Sequence, residues 1–169
     1  MIWVTPLSTL SDVLAQTKAG YLLSLLSVDA ESHATNHLPR DRCLHLYMND
    51  IAEPREGLVA PSPAHVAEII EFGLQWDRKT PMVVHCYAGI SRSTAAAYVI
   101  AAALQPDKDE QDLADELRRL SPSATPNPLI VSHADLLLGR QGRMIEAIRR
   151  IGRGADAVEG KLFKWVSCI

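Results

Sequence analysis

The sequence predicts an α/β fold: a single domain with a central, mostly parallel sheet of about four to five strands flanked by helices. Short runs rich in Val, Leu and Ile alternate with longer stretches of helical period, which is the rhythm of strand and crossover helix. The 169 residues suit one domain, and hydrophobic residues make up 47% of them, enough for one substantial core.

Each element has its own signal. "IWV" at 2 to 4 is the first strand candidate, and Thr9 or Ser11 is placed to cap a helix that ends at Gly20. "YLLSLLS" at 21 to 27, "CLHLYM" at 43 to 48 and "MVVH" at 82 to 85 are the remaining strand candidates. Ser62 or Pro63 opens "PAHVAEIIEFGLQWD", where Val66, Ile69, Ile70 and Leu74 form one apolar stripe. "STAAAYVIAAAL" is apolar nearly all round, which marks a buried central helix, and Pro106 stops it. "DEQDLADELRRL" is acidic at its start and basic at its end, matching the helix dipole, until "SPSATPNP" breaks it. A last helix is expected over about 129 to 150. The main domain is expected to span 1–150, with 151–169 a C-terminal segment, docked or flexible.

A net charge of −3 and a pI near 6.0 supply no large basic field, so neither nucleic acid nor an anionic membrane is the expected partner. Any anion must be held locally. The start "MIWVTPLSTLSDVL" lacks a basic, apolar leader pattern, and no long uncharged apolar run follows. Cys43, Cys86 and Cys168 are odd in number and lack metal spacing, which suits a reducing cytoplasm and leaves a thiol free.

One of those thiols sits in "HCYAGISRS". If 82 to 85 is a strand and 93 to 104 a helix, the N–H groups of the loop between them and the helix N-terminus converge on one anion. Gly89 permits a backbone path that a side chain would block, and Arg92 offers a planar fork for two oxygens of a tetrahedral oxyanion. Such a concave, positive spot stabilises a thiolate, making Cys86 a nucleophile near neutral pH. Ser93 can donate toward the sulfur and stabilise it as a leaving group.

The stretch resembles the histidine, cysteine, five residues, arginine, serine or threonine signature of cysteine-dependent protein tyrosine and dual-specificity phosphatases. The small length is more similar to their compact, bacterial dual-specificity-like members. The resemblance extends over about residues 20 to 150 and implies a phosphotyrosine phosphatase-like fold. It implies that Cys86 accepts the phosphoryl group, that Arg92 clamps it, and that Tyr87, Ala88, Gly89, Ile90 and Ser91 wall the phosphate-binding loop. His85 is then a bracing residue that does not pass protons to substrate.

The departing oxygen needs a proton, so a general acid must come from elsewhere. In similar phosphatases an aspartate lies on the loop after the preceding strand. Asp50 in "LHLYMNDIAEPREG" holds that place, with Glu53 the alternative and Glu56 and Asp77 solvated loop charges. "TPNP" around Asn127 resembles a loop-supporting stretch of the dual-specificity members, although "LIVSHADLLLG" departs from them and a plain turn residue is an equal reading of Asn127.

Other motifs carry less. "GISRS" lacks the second glycine of a serine-hydrolase elbow, and Ser91 is not at the strand end. His33 and His37 are four apart without a third ligand, and His45, His65 and His133 show no companion pattern. No cofactor and no metal are expected. The expected function is a phosphomonoester hydrolase working through a cysteinyl-phosphate, with a phosphorylated protein or small phosphate ester as partner. The alternatives are the same chemistry on a phosphoinositide or nucleotide, or a phospho-binding module with little turnover; "YAGIS" carries no lysine, which disfavours the phosphoinositide.

Overall fold

The computed structural model describes residues 1–28, 30 and 38–166. Five strands form one sheet, β1 (Ile2–Pro6), β2 (Tyr21–Leu26), β3 (Cys43–Tyr47), β4 (Met82–Cys86) and β5 (Phe163–Trp165), in the order β3-β2-β4-β1-β5. All neighbours are parallel except β5, which runs antiparallel along β1 with Ile2 opposite Trp165 and Val4 opposite Phe163. The α/β fold with a central, mostly parallel sheet expected from the sequence is therefore the observed one. β2 and β4 are buried along their whole length, as strands covered on both faces must be.

Helices α2 (Pro63–Gln75), α3 (Arg92–Leu104), α4 (Glu110–Leu120), α5 (Pro128–Leu137) and α6 (Arg143–Ile151) pack one face around Val4, Leu23, Leu25, Met82, Val84 and Cys86. α1 (Leu10–Thr17) covers the other face, where Leu10 and Val13 meet Leu22 and Val83. No described helix is long and apolar enough to cross a membrane.

Local chemistry explains most boundaries. Ser62 caps α2 by accepting from the His65 N–H, while His65 Nδ1 accepts from the Ser62 N–H. Asp109 caps α4 by accepting from the N–H groups of Gln111 and Asp112, an arrangement worth about 1 kcal/mol. α3 is buried from Arg92 to Ala102, so its alanines serve close packing rather than solubility.

Three expectations need correction. The helix expected over 129 to 150 is two helices, because Gly139, Gln141 and Gly142 all take positive φ and Asp135 starts α6 afresh. Its carboxylate accepts from the N–H groups of Gly142 at 2.6 Å and Met144 at 2.9 Å. The α2 stripe runs through Val66, Ile69, Phe72 and Gly73; Leu74 is 57% exposed. Neither Thr9 nor Ser11 caps α1 with its side chain: Thr9 precedes the helix, but its hydroxyl pairs with that of Thr5 at 2.7 Å.

Candidate active site

β4 is the central strand, so its carboxyl end opens where parallel sheets bind ligands. Cys86 is the last residue of β4 and 1% exposed. The next five residues turn back to reach α3, and Gly89 makes the turn possible. Its φ is +70°, and a Cβ there would lie 2.7 Å from the Pro6 nitrogen and 3.0 Å from the Thr5 carbonyl carbon, so the loop rests directly on the end of β1.

The carbonyls of this loop are taken by backbone N–H groups of other segments. Tyr87 O accepts from Leu7 at 3.0 Å, Ala88 O from Gly160 at 2.8 Å, Ile90 O from Thr125 at 3.0 Å and Ser91 O from Asn127 at 3.4 Å. In a planar trans peptide the C=O and N–H point in opposite directions, so holding the carbonyls outward turns N–H groups inward. The Gly89 N–H accordingly donates to Cys86 Sγ at 3.3 Å, and the Ser93 hydroxyl lies 3.1 Å from the same sulfur.

Arg92 opens α3 and is 5% exposed. Its Nη1 donates to Met48 O at 2.8 Å and, more weakly, to Ser27 Oγ at 3.4 Å, tying the guanidinium to the ends of β3 and β2. Its Nε lies 3.9 Å from Asp50 Oδ2 and has no hydrogen-bond partner among the described residues. A buried guanidinium with a donor to spare is prepared for an anion.

Asp50 follows β3, and its side chain is 36% exposed. Oδ1 accepts from Ser91 Oγ at 2.7 Å and from Asn127 Nδ2 at 2.8 Å. Asn127 also donates to Ile51 O at 3.1 Å, while its Oδ1 caps α5 through Leu129 and Ile130. Asn49 closes the base of the loop that carries Asp50, its N–H donating to Val59 O at 2.7 Å and its Oδ1 accepting from the Val59 N–H at 2.8 Å.

His85 is fully buried. Burial pushes its imidazole down to about 4, an effect only partly offset by the Cys86 backbone and reinforced by His45 and Arg92. Strand alternation puts its ring on the α1 side with Val83, opposite the Cys86 thiol, and neither ring nitrogen has a hydrogen-bond partner among the described residues.

The structure thus brings together Cys86, Arg92, Asp50, Ser93 and Asn127 with the loop Tyr87 to Ser91. Glu53 and Glu56 are exposed on the same loop as Asp50, and Asp77 accepts from the N–H groups of Lys79 and Thr80 beyond α2. Cys43 sits at the opposite end of the sheet, in register with Leu22 and beside Val83, too far down to meet Cys86. Burial pushes the Cys43 thiol up, reinforced by Asp41. His33, His37 and Cys168 lie outside the described residues, and among those described no three potential ligands gather for a metal. Ser27, Asn49 and Gly160 were not anticipated. An asparagine next to the candidate acid signals a pinned turn, whereas nothing in the sequence marks Ser27 or Gly160.

A family model described as protein-tyrosine phosphatase matches residues 21–121, more than half of the chain. No curated protein sequence matches it. The crystal structure of DUSP15 is similar at a TM-score of 0.64, with 18% identity over 89% of each chain. That of a human tyrosine phosphatase-like serine/threonine/tyrosine-interacting protein has a TM-score of 0.62 and 19% identity over 83% of this chain and 92% of that one. PTPMT1 in complex with PI(5)P has a TM-score of 0.58 and 12% identity over 89% and 92%. At such identities these structures share the fold, while the sequence match carries the family: this chain belongs to the protein-tyrosine phosphatases.

Proposed function

We propose that the chain is a cysteine-dependent phosphomonoester hydrolase acting on phosphorylated protein in the cytoplasm, with Cys86, Arg92 and Asp50 as its catalytic residues. The thiolate of Cys86 attacks phosphorus, an S–P bond forms, and the P–O bond to the leaving group breaks. Asp50 gives its proton to the departing oxygen. Water then attacks the cysteinyl-phosphate, Asp50 takes a proton from it, and the S–P bond breaks to release phosphate. The inward amides of Ala88, Gly89, Ser91 and Arg92 and the fork of Arg92 hold the three equatorial oxygens through both steps. Ser93 stabilises the sulfur as it leaves, and Asn127 with Ser91 keeps Asp50 over the loop.

The observation that carries this reading is the convergence on one sulfur of the Gly89 N–H and the Ser93 hydroxyl, beside a buried Arg92 with an unused donor. Cys86→Ser is expected to abolish hydrolysis of para-nitrophenyl phosphate while leaving inorganic phosphate binding, measured by calorimetry, in place. Undiminished hydrolysis by that variant overturns the mechanism. Asp50→Asn is expected to lower kcat by roughly 10² to 10³, the usual weight of a general acid. If Glu53→Gln has that effect instead, Glu53 is the acid.

Two rivals remain testable. A phosphoinositide substrate draws support from the shared fold of PTPMT1, solved with PI(5)P, but the loop here has no lysine to meet a second phosphate. A phospho-binding module would show phosphopeptide binding without turnover, and the contact of Asp50 with Ser91 argues against it. Hydrolysis rates on phosphopeptides, inositol phosphates and nucleotides separate the three.

A further inference from the structure

The loop carbonyls are held outward by donors from three other segments, and one of those segments lies beyond both the matched family region and the expected main domain. The Gly160 N–H donates to Ala88 O at 2.8 Å. The peptide that begins with this carbonyl ends with the Gly89 N–H, the group that donates to Cys86 Sγ at 3.3 Å. C=O and N–H of one planar trans peptide are antiparallel, so whatever fixes the carbonyl aims the amide.

The approach is too close to be incidental. A Cβ on Gly160 would sit 2.5 Å from Gly89 O and 3.1 Å from the Gly89 carbonyl carbon, so even alanine displaces the loop. The segment is tethered on both sides of this contact. Before it, the Gly154 N–H donates to Thr125 Oγ1 at 3.1 Å, the Ala155 N–H to Pro122 O at 2.9 Å, and the Ser8 hydroxyl to Glu159 at 2.8 Å. After it, β5 pairs with β1 and buries Phe163 and Trp165. Between the tethers, Val158 is 94% exposed, so the segment is pressed on the loop at Gly160 rather than packed throughout.

We propose that Gly160 is a positioning residue for the nucleophile: by holding the Ala88–Gly89 peptide it keeps the Gly89 amide on the Cys86 sulfur. This inference rests on the reading of Cys86 as the nucleophile. Hydrogen bonds in series polarise one another, and a bond to an ionised acceptor is roughly twice as strong as a neutral one, so the aimed amide favours the thiolate over the thiol.

Alkylation of Cys86 by iodoacetamide as a function of pH tests this without any turnover, so its failure is distinct from failure of the proposed reaction. In Gly160→Ala and in Gly160→Pro, which lacks the N–H, the half-maximal pH of alkylation is expected to rise by about half a unit or more. The kcat for para-nitrophenyl phosphate is expected to fall about tenfold or more with KM changed far less, below the cost of deleting an oxyanion donor outright. Val158→Ala is the control that leaves both unchanged. A lower melting temperature with an unmoved alkylation midpoint overturns the proposal. Should both variants fail to fold, the wild-type chain decides: the amide resonances of Gly89 and Gly160 are expected to titrate together with the Cys86 midpoint, and a flat Gly160 resonance overturns the proposal.

Discussion

Arg92 and Arg140 are both buried arginines, 5% and 7% exposed, yet their surroundings differ in kind. Arg140 sits in the turn between α5 and α6 and spends three donors on the protein itself. Its Nη1 donates to Pro106 O at 2.7 Å and Glu110 Oε1 at 2.9 Å, and its Nη2 to Ala102 O at 2.8 Å, closing α3, α4 and the turn into one knot. Arg92 spends Nη1 on its own support, and its Nε, 3.9 Å from Asp50 Oδ2, has no hydrogen-bond partner among the described residues. A committed guanidinium is mortar, whereas one with a donor to spare awaits a ligand. The two are equally buried and differ in their bonds: Arg140 donates three times to neighbouring elements, whereas Arg92 buries an Nε that meets no hydrogen-bond acceptor among the described residues.

The largest effect expected from this contrast is on activity. Arg92→Ala should lower kcat/KM for para-nitrophenyl phosphate by at least about 10³, the scale of an arginine clamp on a transferring phosphoryl group, with a small change in melting temperature. Arg92→Lys should recover little, because a point charge cannot fork. Comparable losses of stability and activity would mean that Arg92 is mortar too.

The second effect is on stability. Arg140→Ala leaves the Glu110 carboxylate buried with Arg143 as its remaining cation, 3.0 Å away and half-exposed. Removing one partner of a buried pair costs about 3–5 kcal/mol, so urea unfolding should show a loss of that size while the folded enzyme keeps its kcat.

The smallest effect is a pH slope. His85 is held at about 4 against an ordinary 6.5, so between those values the unfolded chain binds a proton that the folded chain does not. Stability is complete above 6.5 and falls by about 3 kcal/mol as the pH drops through this window. Comparison of unfolding free energies at pH 7 and pH 4.5 should show this slope in the wild type and its reduction in His85→Asn. An equal slope in both assigns the acid sensitivity elsewhere.

What could be read from the sequence divides along chain distance. Cys86, proposed as the nucleophile, its loop, Arg92 and Ser93 are contiguous, so local geometry specifies them and the sequence displays them together. Asp50 was reachable because it follows a strand at the proper end of the sheet, but its hold by Ser91 and Asn127 is a tertiary matter. The break between α5 and α6 had its glycines in plain view, yet apolar spacing continued across them. Gly160 was invisible, because its importance comes only from what lies opposite it once the chain has closed.

β5 has one more consequence, for the behaviour of the protein toward other copies of itself. Without β5, the outer side of β1 would be an open row of backbone donors and acceptors on a strand with buried, apolar side chains, the usual template for sheet-to-sheet aggregation. Three residues cover that row, and in place of a long apolar edge they present Lys164, whose ammonium lies 5.8 Å from the centre of the Trp3 ring. A strand this short, carrying a charge at its middle, offers a passing chain little to extend, so the segment that meets the loop after Cys86 also closes this edge of the sheet to other copies.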